Sequence, residues 1–228
     1  MKLILLGLAL ALLIQVHAAP TFFIDPGHGA GDPGAHVGNL NEADLVFNIA
    51  TQVQAMLEAQ GLDAVLSRDQ STAPALSARV AAANASGARA FVSLHVNFSP
   101  SPTVHGPRVF IARPLAPRAK DDPSPWDQAA GAHSDAARSL ASALARSLST
   151  SDLTRVNVQT LNLAVLKGLS IPGVMVELGF LSHAESRDRF NDPEFLKTLA
   201  RRVAQGMINW ANSNPDASPS DTSAGAHP

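Results

Sequence analysis

Three residues of this sequence stand at the ends of short apolar runs and carry side chains suited to metal or proton chemistry. His28 follows Phe22-Phe23-Ile24 across Asp25-Pro26-Gly27, His95 closes Ala90-Phe91-Val92-Ser93-Leu94, and Glu177 follows Gly173-Val174-Met175-Val176. Each run reads as a buried strand. A lone histidine after a strand is more often a surface or hydrogen-bonding residue than a ligand. Three polar residues in one setting change that balance, because open α/β sheets bring the loops after neighbouring strands to a single crevice.

The sequence has no cysteine, so thiol nucleophiles and thiolate metal sites are excluded, and a transition metal must be held by His, Asp or Glu. A catalytic zinc commonly takes three protein ligands and leaves a fourth position for water, and two His with one Glu is a standard set. His28, Glu42 and His95 could supply it. Glu42 nevertheless opens a predicted helix, where the macrodipole alone favours a carboxylate by about 0.3–1 kcal/mol. By position it is an ordinary first-turn acid. Glu177 lies between an apolar strand and Leu178-Gly179-Phe180-Leu181, a setting that buries a carboxylate at a cost unless it is paired. Partial desolvation raises its proton affinity and suits it to acid-base work; a structural salt bridge is the plainer alternative.

The elements that must position these residues follow from periodicity. Leu45, Val46, Ile49, Val53, Met56 and Leu57 repeat at helical spacing until Gly61, where a helix cap is expected. Val65-Leu66 reads as a strand, residues 76–85 as a helix, residues 109–111 and 163–166 as strands, and residues 134–147 and 193–210 as helices. The alternation predicts an α/β fold: a single domain with a mostly parallel, twisted central sheet flanked by helices on both faces. Residues 112–126, rich in proline and charge, read as an irregular surface connection, with a place beside the site left open.

Residues 1–18 combine Lys2, an apolar run of about 14 residues, too short for a span of roughly 20, and a small-residue exit at Val16-His17-Ala18. They read as a signal peptide. Residues 19–212 then form the catalytic domain, and residues 213–228, poor in large apolar side chains, a disordered tail. The 228 residues carry a formal net charge of only −2, so neither nucleic acid nor, after leader removal, a membrane is expected as a partner.

Three separated segments carry a family resemblance. They are Ile24-Asp25-Pro26-Gly27-His28-Gly29 with Asp32-Pro33-Gly34-Ala35 and then Glu42; Ser93-Leu94-His95-Val96-Asn97; and Val176-Glu177-Leu178-Gly179-Phe180-Leu181-Ser182. Ser67-Arg68-Asp69, Leu76, Arg79, Ala83-Asn84, Leu163-Val165-Leu166 and Ile171-Pro172 fill the gaps in order. Over residues 21–210 the chain resembles the zinc-dependent N-acetylmuramoyl-L-alanine amidases of the AmiC type. The resemblance implies hydrolysis of the amide between N-acetylmuramic acid and L-alanine in peptidoglycan. It implies Zn2+ on His28, Glu42 and His95, with Glu177 as the acid-base catalyst. It also implies an exported protein of the periplasm or cell envelope, or a secreted one; we expect it to act as a monomer.

The sequence departs from the family pattern at His183, where Asn is usual after Gly-Phe-Leu-Ser, and at Pro107-Arg108 after Gly106, where an acid often follows. Substrate contacts are expected to differ there. The segment before residue 134 is short, and the blocking helix that some cell-division members carry there is not expected. His36 and His183 are minor rival ligands. Another zinc peptidoglycan peptidase or carboxypeptidase, and an inactive wall-binding regulator of the same fold, are the alternatives.

Overall fold

Alternating side chains give one sheet two unlike faces. The computed structural model describes residues 21–113, 133–149 and 155–215. Its strands are β1 (Phe22–Pro26), β2 (His36–Val37), β3 (Leu40–Asn41), β4 (Ala64–Leu66), β5 (Ala90–Asn97), β6 (Arg108–Ala112), β7 (Val158–Leu161) and β8 (Gly173–Phe180). Six of them form a sheet in the order β4-β1-β5-β8-β6-β7, and β2 and β3 form a small antiparallel pair. Strands β4, β1, β5 and β8 run parallel. Strand β6 is antiparallel to β8, and β7 runs parallel to β6.

The helices are α1 (Glu42–Glu58), α2 (Leu76–Ala85), α3 (Ser134–Leu148), α4 (Ala184–Phe190) and α5 (Pro193–Ser213). Phe22, Ile24, Val92, Leu94, Val174 and Val176 share one core with Val46 and Ile49 of α1, Leu140 and Leu144 of α3, and Val203 and Trp210 of α5. The other face packs Phe23, Phe91, Phe110 and Met175 against Ala83 of α2 and Val165 and Leu166. Each large apolar side chain so buried contributes roughly 1.5–3 kcal/mol. The expected helix-flanked, mostly parallel sheet is what forms.

The second face is apolar over only half its length. With a strand period of two, Phe23 is followed by Asp25, Phe91 by Ser93 and His95, and Met175 by Glu177, while Arg108 precedes Phe110 on the reversed strand. The carboxyl edge of this face is therefore polar, and it lies beyond the cluster formed with α2. This is the surface on which a site can be built.

Local signals account for most boundaries. Asn41 caps α1 by accepting the Asp44 N–H at 2.8 Å, and Gly61, with φ of 72°, follows its end. Asp192 caps α5 ahead of Pro193, a favoured first helical residue. Two expectations are corrected. Residues 163–166 are no strand: Ala164–Leu166 is a single 3-10 turn that turns Val165 and Leu166 into the second core. A short apolar run has no period of its own to tell the two apart. The edge strand is β7, whose half-exposed Val-Gln-Thr-Leu lacks an apolar signal. Helix α5 continues past residue 210 to Ser213, into the expected tail. The leader, the rest of the tail from residue 216 and residues 114–132 lie outside the described residues. The two flanks of that last segment, Ala112 and His133, line one cavity with Gly173, the first residue of β8, so they sit at the edge remote from Glu177.

Gly206 marks the closest approach of α5 to α3: a Cβ there would stand 2.9 Å from the Cα of Leu144. Gly206→Val is expected to lower stability by about 1–3 kcal/mol through overpacking. Urea unfolding would read this as a lower midpoint at unchanged slope; an unchanged midpoint would show that this crossing is not tight.

Candidate metal centre

The chain turns sharply after β1, and the turn sets the first donor. His28 has φ of 59°, a left-handed conformation that residues other than glycine rarely adopt. Such strain persists only where the surroundings hold it. Here the Nδ1 of His28 meets Asp32 Oδ2 at 2.8 Å, and Arg79 donates to the His28 carbonyl. With Nδ1 engaged, Nε2 is the nitrogen left to face the site. Two glycines supply the room. A Cβ on Gly27 would lie 2.3 Å from Cε1 of His95, and one on Gly34, where φ is 65°, would lie 2.6 Å from both Glu42 Oε2 and His28 Cδ2.

Glu42 is the hub. It is 4% exposed at the start of α1, with Oε2 3.1 Å from His28 Nε2 and Oε1 2.7 Å from His95 Nδ1. Oε2 also accepts the Ala35 N–H at 2.9 Å, and Oε1 the Val96 N–H at 3.0 Å. Burial opposes its ionisation, but the hydrogen bonds from His28 and His95 outweigh it and hold the carboxyl down at about 2. The same hydrogen bond from the other side, partly offset by burial, lifts His28 to about 9.

The donor atoms of His28, Glu42 and His95 all lie within 4.8 Å of one another. A tetrahedral ion with bonds of about 2.0–2.2 Å separates its ligand atoms by roughly 3.3 Å. The set therefore fits a divalent ion that accepts imidazole and carboxylate donors. Asp32 behind His28 is the kind of outer carboxylate that orients a ligating imidazole.

Glu177 stands next to this cluster and inside β8, rather than after the strand as its sequence setting suggests. It is paired in register with His95 on one side and Arg108 on the other. The side chain is 6% exposed, and its Oε2 is buried without a hydrogen-bond partner. Burial pushes its carboxyl up to about 7, against the pull of His95. An orphaned buried oxygen beside three convergent donors is an arrangement for handling a proton that a reactant brings.

A second polar layer, whose role the sequence did not reveal, anchors the turn. Asp25, 1% exposed, accepts from Ser67 and Ser93 and pairs with Arg79 at 3.2 Å. Arg68 donates to the carbonyls of Pro26, Gly27 and Ala43, each at 2.9 Å. Their only sequence trace is a place in the motifs, Asp25 and Ser93 in the main segments and Ser67, Arg68 and Arg79 in the weaker stretches. Of the rival histidines, His36 is exposed on β2, and His183 caps α4 through Nδ1 and stacks on His105 at 4.9 Å. Neither joins the cluster.

A sheet of this kind, with a His/Glu/His cluster at its carboxyl edge that could hold a metal ion and a buried glutamate alongside, places the chain among α/β proteins with a candidate metal centre at the strand ends. The chain belongs to the N-acetylmuramoyl-L-alanine amidase family (Amidase_3), whose profile matches residues 22–209. It is similar to the N-acetylmuramoyl-L-alanine amidase AmiC of Neisseria meningitidis serogroup B, at 28% identity over 222 residues. It is also similar to the amidase LytC of Bacillus subtilis, at 30% identity over 190 residues. These alignments cover 86% and 83% of this chain but 53% and 35% of those relatives, so the chain spans about half their length or less. The solved AmiC2 of Nostoc punctiforme superposes with a TM-score of 0.71 at 28% identity, covering 86% of this chain and 98% of that one.

The buried Arg79–Asp25 pair gives a stability test. Arg79→Ala strands the Asp25 carboxylate and is expected to cost about 3–5 kcal/mol. Denaturant unfolding would show it, and a loss below about 1 kcal/mol would mean that the two serines suffice.

Proposed function

We propose that this protein is a zinc-dependent N-acetylmuramoyl-L-alanine amidase that hydrolyses the amide joining N-acetylmuramic acid to L-alanine in peptidoglycan. The carrying observation is the convergence of His28, Glu42 and His95, with Glu177 beside them, in a chain matched to that family over residues 22–209. The identities of the metal and of the bond rest on donor chemistry and on kinship.

In this reading His28, Glu42 and His95 hold the zinc, which when bound supplies Lewis acidity for water and carbonyl activation. Glu177 does the proton work. Its carboxylate takes the proton of the attacking water and returns it to the leaving nitrogen, a task for which a value near neutrality is suited. The apolar strand around Glu177 keeps solvent from competing for that proton. Asp32, Arg68 and Arg79 keep the donors placed. An exported protein, acting in the periplasm or cell envelope, fits both this substrate and the apolar start of the sequence. Among the described residues no helix is long and apolar enough to cross a membrane.

Glu177→Gln is expected to retain zinc while losing hydrolysis by at least about 10²-fold, and His95→Ala to lose tight zinc binding as well. Metal analysis paired with digestion of purified sacculi measures both. A Glu177 variant of full activity would sink the mechanism. A chelator should abolish cleavage and zinc restore it; hydrolysis by metal-free protein would refute the metal assignment. Product mass separates the bond choices. The amidase frees intact stem peptides with new L-alanine amino termini, whereas a peptidase cuts within the stem.

A further inference from the structure

Arg108 is the first residue of β6, and because β6 runs against β8 it enters the sheet at the edge where the parallel strands end. It is paired in register with Glu177. Directly opposed residues of antiparallel strands leave the same face, with Cβ atoms about 4.5–5.5 Å apart. Across that face the order is thus His95, Glu177, Arg108, one strand spacing of about 4.8 Å at each step. The metal donors lie on one flank of the glutamate and a cation on the other.

Arg108 is half-buried, and its guanidinium lies over the Phe180 ring with Cζ 4.9 Å from the ring centroid. Among the described residues it makes no salt bridge, and Glu177 Oε2 takes no hydrogen bond from it. Stacking on an aromatic ring leaves the edge donors of arginine free, and their fork matches a carboxylate. A fixed cation with spare donors beside a reaction centre is poised for an anionic group of the substrate.

The direction of the peptide follows from the amidase reading, on which this inference rests. If Glu177 protonates the leaving nitrogen, the departing peptide begins at Glu177 and extends away from the metal donors. At about 3.3–3.6 Å per residue, its first or second residue reaches Arg108. We propose that Arg108 is a specificity-determining residue that binds a free carboxylate on the peptide arm, one or two residues beyond the scissile amide.

The test compares the zinc-loaded full chain on two muramoyl peptides that differ only in whether the second stem residue carries a free or an amidated carboxylate. The wild type is expected to favour the acidic peptide by about tenfold or more in kcat/KM, the scale of a charge-assisted hydrogen bond, with the difference mainly in KM. Arg108→Gln should erase that preference, so that the two peptides are cleaved alike, and Arg108→Lys should restore part of it. Equal slowing of both peptides by Arg108→Gln would overturn the inference, since it would place the effect on Glu177 or on folding. So would a wild type indifferent to the carboxylate, although the amidase reading would then stand. Cleavage of neither peptide by the wild type would overturn that reading and this one together.

Discussion

A carboxylate buried with four hydrogen-bond partners is the constraint around which this protein is arranged. Glu42 sits where α1 begins, so its two oxygens must be satisfied by whatever the chain brings to that point: two imidazoles and two backbone N–H groups. Bringing them requires that β1 turn through a left-handed histidine, that Gly27 and Gly34 leave out side chains, and that Asp25, Arg68 and Arg79 fasten the turn from beneath. The strain at His28 is set against these bonds. The geometry that stabilises the carboxylate also presents a convergent donor set to a cation.

Glu177 illustrates the opposite treatment of the same functional group. It lies one strand from His95, yet its Oε2 is buried without a partner and its proton affinity rises, whereas that of Glu42 falls. Two carboxylates in one small site are thereby given opposite proton affinities, which suits the tasks proposed for them, holding a metal and exchanging a proton. Environment makes the distinction, as the residue type is identical.

Much of this was legible in the sequence. The order of β1, α1, β4, α2, β5, β6, α3, β8 and α5, the α1 start and the grouping of His28, His95 and Glu177 at one edge arise from apolar periodicity and from the polar residue that ends each apolar run, whereas β2, β3, β7 and α4 carry no such signal. Glu42 was different: its position fitted an ordinary helix-opening acid, and only the pattern of the flanking motifs marked it as a ligand. The support of the β1 turn by Arg68 and Arg79 could not be read, because those contacts join residues 41 to 54 positions apart. The reversed β6–β7 pair was also invisible, since strand direction leaves no trace in hydrophobic spacing. The misassigned 163–166 run shows the same limit, with burial preserved and secondary structure exchanged.

The reversal of β6 divides the rim of the site into two mechanical parts. His28, His95 and Glu177 belong to the parallel half or the turn after it, whereas Arg108 arrives on a strand threaded in from the opposite direction, through the loop at residues 98–107. A one-residue slip of β6 would turn Arg108 to the other face and leave the donors of the parallel half where they are. In the roles proposed above, recognition and chemistry are thus carried on separately adjustable pieces of backbone. Insertions or deletions in residues 98–107 would therefore re-aim Arg108 while the donor set of the parallel half keeps its support.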